Sequence, residues 1–161
     1  MSYIWAMKIH LLAVGDRLPD WAETACNEYL KRLPREPRVE MVSVRPDKRT
    51  GLPTDTIKAH EAERLLERCP RGARRIALDE HGKQVTTREL AGLLADWQAD
   101  GRDVALFMGG ADGLAADLLE QAELKLALSR LTLPHALARV VLAEQLYRAV
   151  SLLAGHPYHR D

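Results

Sequence analysis

Long hydrophobic runs, cysteine and aromatic residues are scarce in this sequence of 161 residues. No window approaches the run of about 18 uncharged apolar residues that a membrane-spanning helix needs. The start of the chain lacks the basic leader, long apolar stretch and small-residue cleavage site of a signal peptide. These absences predict a cytoplasmic protein that does not insert into a membrane. The apolar fraction of 47% and the charged fraction of 29% are ordinary for a globular protein and argue against disorder.

Cysteine is limited to Cys26 and Cys69, which lie 43 positions apart with no CxxC or cysteine–histidine pattern around either. We interpret both as reduced structural thiols rather than metal ligands or nucleophiles. His135, His156 and His159 lack the i, i+4 spacing that places two metal ligands on one helix, so we interpret each as a capping or exposed histidine. The sequence therefore predicts no metal cofactor.

The formal net charge is zero, but the charges are unevenly distributed. Basic residues outnumber acidic residues seven to four in residues 28–50 and five to two in residues 125–161, whereas acids outnumber bases ten to three in residues 79–123. A nucleic acid would therefore be bound by local patches, because phosphate affinity comes from clustered cations. Solvated faces whose charges average out explain the same pattern equally well.

Hydrophobic periodicity predicts strands that alternate with helices along the chain. The predicted strands cover residues 7–14, 39–44, 74–79, 104–108 and 124–128. The predicted helices begin near Pro19, at an N-cap Thr54, at a capping Thr87, near Leu114 and at Ala136. This alternation is typical of an α/β fold with a mostly parallel sheet flanked by helices. We expect one domain over residues 1–161, with residues 1–6 as an optional extension.

Ligands of parallel α/β sheets bind beyond the carboxyl ends of the strands, which points here to Leu78, Met108 and Leu128. A glycine-rich turn, MGGADG at 108–113, follows the most apolar strand, VALFM at 104–108. Its spacing is not the GxGxxG of a dinucleotide site, and the chain has no GxxxxGK[ST] phosphate loop. The turn would let a cofactor approach the backbone, although tight packing without a ligand is an equal interpretation.

Two further segments of the C-terminal third have candidate functions. The loop LSRLTLPH at 128–135 can bind an adenine or ribose through its backbone, or can simply start the next helix at Pro134. That helix, 136–154, is apolar on nearly all sides, and burial against a copy of itself predicts a homodimer. The tail HPYHRD at 156–161 combines an aromatic ring, imidazoles and a guanidinium, which are groups that stack on bases and bind phosphates.

Taken together, these motifs resemble the ribosomal RNA large subunit methyltransferase H family of the SPOUT superfamily, from residue 7 to the C-terminus. The matching segments are LLAVG at 11–15, PDW at 19–21, EYLKR at 28–32, GRDV at 101–104, GGADG at 109–113, LSRLTLPH at 128–135, AEQLYRA at 143–149 and HPYHR at 156–160. One departure lies in the glycine turn, where members commonly have proline then glutamate and this chain has Ala111 and Asp112. The departure leaves any role of that carboxylate open.

The resemblance implies properties that the spacings alone do not. The fold would carry a deep C-terminal trefoil knot, a rare exception to the rule against threading. The cofactor would be S-adenosylmethionine, and the reaction would be methylation at N3 of a pseudouridine in 23S ribosomal RNA of assembled ribosomes. The cofactor-binding residues implied by the family are Leu78, Gly110, Leu128, Ser129, Arg130, Leu131, Thr132 and Leu133.

The same resemblance leads to a hypothesis for the substrate site. We expect Arg148, Tyr158, His159 and Arg160 to hold the nucleotide, with the tail partly supplied by the second subunit of the homodimer. His159 is a candidate base because imidazole titrates near neutral pH. Two alternatives remain at this stage, namely a non-catalytic RNA-binding or assembly module of the same fold and a SPOUT tRNA methyltransferase.

Overall fold

The computed structural model describes residues 7–48, 50–155 and 158 of the chain. Five strands form one sheet in the order β2-β1-β4-β3-β5, and all neighbouring strands are parallel. The strands are β1 Lys8–Val14, β2 Arg38–Val44, β3 Arg74–Gln84, β4 Val104–Met108 and β5 Leu124–Ala127. The helices are α1 Asp20–Arg32, α2 Thr54–Arg68, α3 Thr87–Asp100, α4 Ala116–Gln121 and α5 His135–Leu153. The predicted α/β sheet flanked by helices is confirmed.

The central strand, β4, has all five residues buried. It lies between β1 and β3, with Val104 opposite Ile9 on one side and Arg74 on the other. Helices cover both faces of the sheet, so two apolar cores form, one on each side. An uninterrupted apolar sequence is typical of a strand in the middle of a parallel sheet, and β4 occupies that place.

The N-caps of α2 and α3 each lie one residue before the predicted cap, and α5 begins at His135, one residue before the predicted Ala136. Pro53 occupies the N-cap position of α2, so Thr54 is the first helical residue and does not cap the helix. Thr86, rather than Thr87, caps α3, and its hydroxyl accepts a hydrogen bond from the Glu89 N–H while the Glu89 carboxylate accepts one from the Thr86 N–H. This reciprocal pair satisfies two helix-end donors, so the predicted cap at Thr87 was wrong by one residue.

Strand β3 is longer than predicted and is interrupted in the middle. Leu78 and Lys83 both lie opposite Leu126 of β5, so the four residues between them bulge out of the ladder. Gly82 closes the bulge, because a Cβ added there would lie 2.7 Å from the Lys125 carbonyl carbon. The bulge directs Asp79 and its neighbours toward the carboxyl ends of the strands.

Helix α5 packs against α1 and α3 of the same chain. The sequence predicted burial of this helix against a copy of the chain, but Leu142, Ala143, Leu146 and Ala149 are already buried within one chain. The homodimer therefore stays a prediction. Arg139 is also buried, with 2% of its surface exposed. No described helix is long and apolar enough to cross a bilayer.

The Arg139 guanidinium joins α5 to the ends of β1 and β2. It donates to the Ser43 hydroxyl at 3.0 Å, to the Val14 carbonyl at 2.9 Å and to the Gly15 carbonyl at 2.7 Å. Burial lowers the pKa of Arg139 below its ordinary value, although a guanidinium remains charged at neutral pH. This buried charge therefore fixes the position of α5 relative to the carboxyl ends of β1 and β2.

Candidate functional site

A cleft of about 550 Å³ lies at the carboxyl ends of β3, β4 and β5. Leu78, Met108 and Leu126 contribute apolar side chains to it, one from each of these strands. The volume is within the range of pockets that bind small molecules and cofactors. All three strand ends selected from the sequence meet here.

The glycine turn forms one wall of the cleft. Gly113 has a φ of 84°, and its N–H donates to the Gly110 carbonyl at 3.0 Å. A Cβ on Gly109 would lie 2.5 Å from the Gly113 carbonyl carbon, so the backbone crosses itself at a distance that only glycine allows. Gly109, Gly110 and Gly113 expose backbone to the cleft because they carry no side chain.

The loop between β5 and α5 forms the opposite wall. The Ser129 hydroxyl accepts a hydrogen bond from the Leu131 N–H at 2.9 Å, which holds the loop in a tight turn. Leu131 is 75% exposed, an unusual position for a large apolar side chain. The loop therefore combines available backbone groups with an exposed apolar side chain at the mouth of the cleft.

Seven of the eight predicted cofactor residues line this cleft. They are Leu78, Gly110, Leu128, Ser129, Leu131, Thr132 and Leu133. Arg130 belongs to the same loop but is exposed and is not among the lining residues. The structure thus brings together residues from three separate segments of the chain, and their role in binding a cofactor stays a prediction.

Five titratable residues of the cleft escaped the sequence prediction. They are Lys58 from α2, Asp79, Glu80 and His81 from the β3 bulge, and His135 from the start of α5. Glu80 Oε1 and His81 Nε2 lie 3.4 Å apart. The bulge residues could have been found from the sequence, because they lie at and just after the predicted end of the third strand at residue 79. Lys58 could not, because it lies on α2, far from every predicted strand end. Asp112, at the departure from the family pattern, also lines the cleft.

A second cluster contains the predicted substrate residues that the structure describes. The Arg148 guanidinium pairs with the Glu144 carboxylate at 2.6 Å and lies 4.8 Å from the centroid of the Tyr158 ring. The Tyr158 hydroxyl donates to Glu144 at 3.3 Å, and its ring packs edge-on against Tyr147 at 4.5 Å. Neither Arg148 nor Tyr158 is among the described residues that line the cleft. His159 and Arg160 lie outside the described residues.

The electrostatics of this cluster define what its groups can do. Burial, followed by a hydrogen bond with Tyr29, raises the pKa of Tyr158 to about 12. The hydrogen bond to Glu144 raises the pKa of Arg148. At neutral pH the tyrosine is therefore a neutral hydrogen-bonding group and the arginine a fixed cation, so both are suited to binding and neither to proton abstraction.

Metal ligands are not grouped in the part of the chain that the structure describes, where no three His, Cys, Asp or Glu side chains could hold one ion. Cys26 is a free, buried thiol and Cys69 a free, half-buried one. Burial raises the pKa of both thiols, so neither is an activated nucleophile.

Known proteins share this arrangement of a parallel sheet with a site at the carboxyl ends of its strands. Residues 7–159 match a family described as Predicted SPOUT methyltransferase. A solved structure of a probable methyltransferase from Bordetella pertussis superposes with a TM-score of 0.55 at 19% identity, covering 90% of this chain and 97% of the other. That likeness supports the fold, and the family match over residues 7–159 defines the class as SPOUT methyltransferase.

Two curated relatives narrow the class. The ribosomal RNA large subunit methyltransferase H of Methylibium petroleiphilum is 58% identical over 156 residues, which cover 96% of this chain and 100% of the relative. The protein of the same name from Leptothrix cholodnii is 55% identical with the same coverage. This chain belongs to the ribosomal RNA large subunit methyltransferase H family.

Proposed function

We propose that this protein methylates ribosomal RNA of the large subunit, at N3 of a pseudouridine, on assembled ribosomes in the cytoplasm. The observation that carries the proposal is the cleft, in which residues from three distant segments that the family resemblance implicated lie side by side. The full-length similarity to relatives named for this activity supports the class of substrate. The position and state of the RNA extend beyond those names and are part of the proposal.

The cleft fits S-adenosylmethionine as methyl donor. The apolar side chains of Leu78 and Leu126 and the backbone of residues 128–133 would hold its adenosine moiety. The glycine turn is closed tightly, because a Cβ on Gly109 would lie 2.5 Å from the Gly113 carbonyl carbon, and Gly109 and Gly110 bring backbone without side chains to the wall of the cleft. Carboxylates of Asp79 and Asp112 line the same cleft and complement a cationic ligand. When bound, this cofactor supplies an electrophilic methyl group.

The remaining requirements of the reaction fall on the protein's own residues. The imide N–H of the base must lose its proton as the new N–C bond forms, and we assign His159 as the candidate acceptor. Arg148, Tyr158 and Arg160 position the nucleotide and its phosphates. Positioning alone can contribute up to roughly 7–11 kcal/mol of barrier reduction, so we expect it to be the larger effect.

The separation of the two residue clusters bears on the assembly. Because Arg148 and Tyr158 lie away from the cleft of their own chain, we propose a homodimer in which each tail completes the partner's site. Trp21 lies on α1, the helix that packs on α5, and is 57% exposed. This side of the molecule therefore offers apolar surface for such a contact. We also propose that the chain after β4 forms the trefoil knot of the superfamily.

The direct test is mass mapping of ribosomal and transfer RNA from cells with and without the gene. We expect one methyl group to disappear from a large-subunit pseudouridine when the gene is deleted. A missing methyl group on a tRNA would instead identify the tRNA methyltransferase alternative. An unchanged map of both RNAs would refute the enzymatic proposal and leave the binding-module alternative.

The role of the tail can be tested separately. A chain truncated after Gly155 should bind S-adenosylmethionine with unchanged affinity, because the cleft residues remain, yet should not methylate ribosomes. A matched control replaces Asp96 by asparagine, since this exposed side chain lies on α3, is not among the residues that line the cleft, and should be dispensable for both readouts. Retained methylation by the truncated protein would contradict the proposed role of His159 and Arg160.

A further inference from the structure

The loop that follows β2 lies beside the cleft but has no role in the function proposed so far. It begins at Arg45 and leads to α2 at Thr54. Because β2 is parallel to β1, and β1 to β4, the loop leaves the sheet at the same edge as the glycine turn. Arg45 and Lys48 are exposed on this loop.

The carboxylate of Asp47 fastens the loop to α2. One Asp47 oxygen lies 2.7 Å from His60 Nδ1, and the other accepts a hydrogen bond from Arg64 at 2.9 Å. Arg64 also donates to the Arg45 carbonyl at 3.2 Å. Only 11% of the Asp47 side chain is exposed, and these hydrogen bonds, first that from Arg64 and then that from His60, lower its pKa. The negative charge of the loop is therefore turned inward and compensated.

A second carboxylate connects the loop to the cleft. Glu61 is 6% exposed, and its Oε2 accepts a hydrogen bond from the Asp47 N–H at 3.0 Å. The same side chain lies against the glycine turn, because a Cβ added to Gly110 would be 3.4 Å from Glu61 Oε1. One buried side chain thus contacts both the loop and the wall of the cleft, which sets the loop at a fixed position next to the site.

The arrangement sorts the charges of this region by sign. The Asp47 and Glu61 side chains are turned into the protein, whereas Arg45 and Lys48 are exposed. Lys58, which lies on α2 as Glu61 does, lines the cleft. Clustered cations on a held loop bind phosphates through counterion release. We infer that Arg45 and Lys48 form a docking surface for the phosphate backbone of the RNA next to the methylated nucleotide. The inference rests on the proposed function, since it takes ribosomal RNA as the substrate.

The test compares two double variants that each remove two exposed cations. Arg45→Ala/Lys48→Ala alters the proposed surface and leaves the Arg45 carbonyl that Arg64 contacts. Arg68→Ala/Arg71→Ala is the matched control. These exposed residues lie at the end of α2 and in its connection to the start of β3, at the amino ends of the strands and away from the cleft. Affinity for assembled ribosomal particles, prepared from bacteria that lack their own enzyme of this family, is measured across a salt series. Calorimetry with S-adenosylmethionine reports on the cleft.

We expect the Arg45→Ala/Lys48→Ala protein to bind particles about tenfold more weakly at physiological salt, with a slope of log affinity against log salt that is shallower by about 1.5. Its affinity for S-adenosylmethionine and all properties of the control should match the wild type. Equal particle affinities and slopes for the three proteins would overturn the inference. A weaker affinity with an unchanged slope would also overturn it, because the contact would then not be with phosphate.

Two further outcomes separate this inference from the proposed function. If the wild-type protein methylates ribosomes but the loop variant binds them normally, the docking surface is wrong and the function stands. If the loop variant alone loses binding while the RNA map shows no methylation, Arg45 and Lys48 still bind RNA phosphate, but the proposed function and the place of the surface next to a methylated nucleotide are overturned. Should the alanine variant also lose S-adenosylmethionine binding, Arg45→Lys/Lys48→Arg decides, because full particle affinity supports the role of charge and weakened affinity overturns it.

Discussion

The closest backbone approach at the cleft gives a sharp prediction for Gly109→Ala. The added Cβ would lie 2.5 Å from the Gly113 carbonyl carbon and 2.8 Å from the Leu114 nitrogen, whereas ordinary contacts begin at 3.4 Å. Because both neighbours are backbone atoms, the turn must open by about 0.9 Å, and overpacking of this kind costs about 1–3 kcal/mol of folding free energy. A displacement of about 1 Å at a catalytic site can also lower the rate about 100-fold.

Thermal unfolding and methyl transfer to ribosomes together test this prediction. For a chain of this length, each kcal/mol lowers Tm by about 2–4 °C, so Gly109→Ala should unfold several degrees below the wild type. The control is Gly92→Ala in α3, where an added Cβ meets no atom within 4 Å. There alanine should stabilise the helix by about 0.5–1 kcal/mol and leave methyl transfer unchanged.

The two substitutions are expected to change the stability in opposite directions, so the prediction can be refuted. If Gly109→Ala kept the wild-type Tm and the wild-type rate, the backbone crossing would not be a tight constraint. If Gly92→Ala were the more damaging change, local packing would not govern the effect of adding a methyl group.

Two other predictions concern buried and paired charges. Arg139→Met should lower the free energy of unfolding by about 1–3 kcal/mol, because the Val14 and Gly15 carbonyls lose their donor, and urea titration showing wild-type stability would contradict this. The pKa of Asp47 is lowered in the folded state, so the unfolded chain binds that proton more tightly and the stabilisation by Asp47 is lost as the pH falls below about 4. Urea titrations at stepped pH should therefore show a smaller acid loss for Asp47→Asn, and identical pH profiles would rule the explanation out.

Several parts of the fold followed from the sequence because local chemistry determines them. The apolar run of β4 required burial on both faces, and it lies at the centre of the sheet with every residue buried. Glycine commonly follows the last turn of a helix, and Gly101 caps α3 with a φ of 86°, in the left-handed region. The strand-end rule brought Leu78 and Leu128 to one cleft although 50 positions separate them.

Other features depend on contacts that no local pattern encodes. Arg139 was one of three charges on an apolar helix, and its burial depends on acceptors that lie 96 to 125 positions earlier in the chain. The bulge after Leu78 depends on the close approach of Gly82 to the backbone of β5. Glu61 likewise became an interior residue because the Asp47 N–H reaches it across the loop. The roles of His159 and Arg160 remain predictions.

The position of β4 between β1 and β3 also has a consequence for synthesis of the protein. The Lys8 N–H bonds to Asp103, which lies 95 positions later, next to the start of β4. At about 5–20 residues per second, that partner leaves the ribosome roughly 5–20 s after β1 does. During that interval the apolar residues Ile9, Leu11 and Leu12 lack their final neighbour strand. The nascent chain must therefore keep an open strand edge from aggregating until translation is more than half complete.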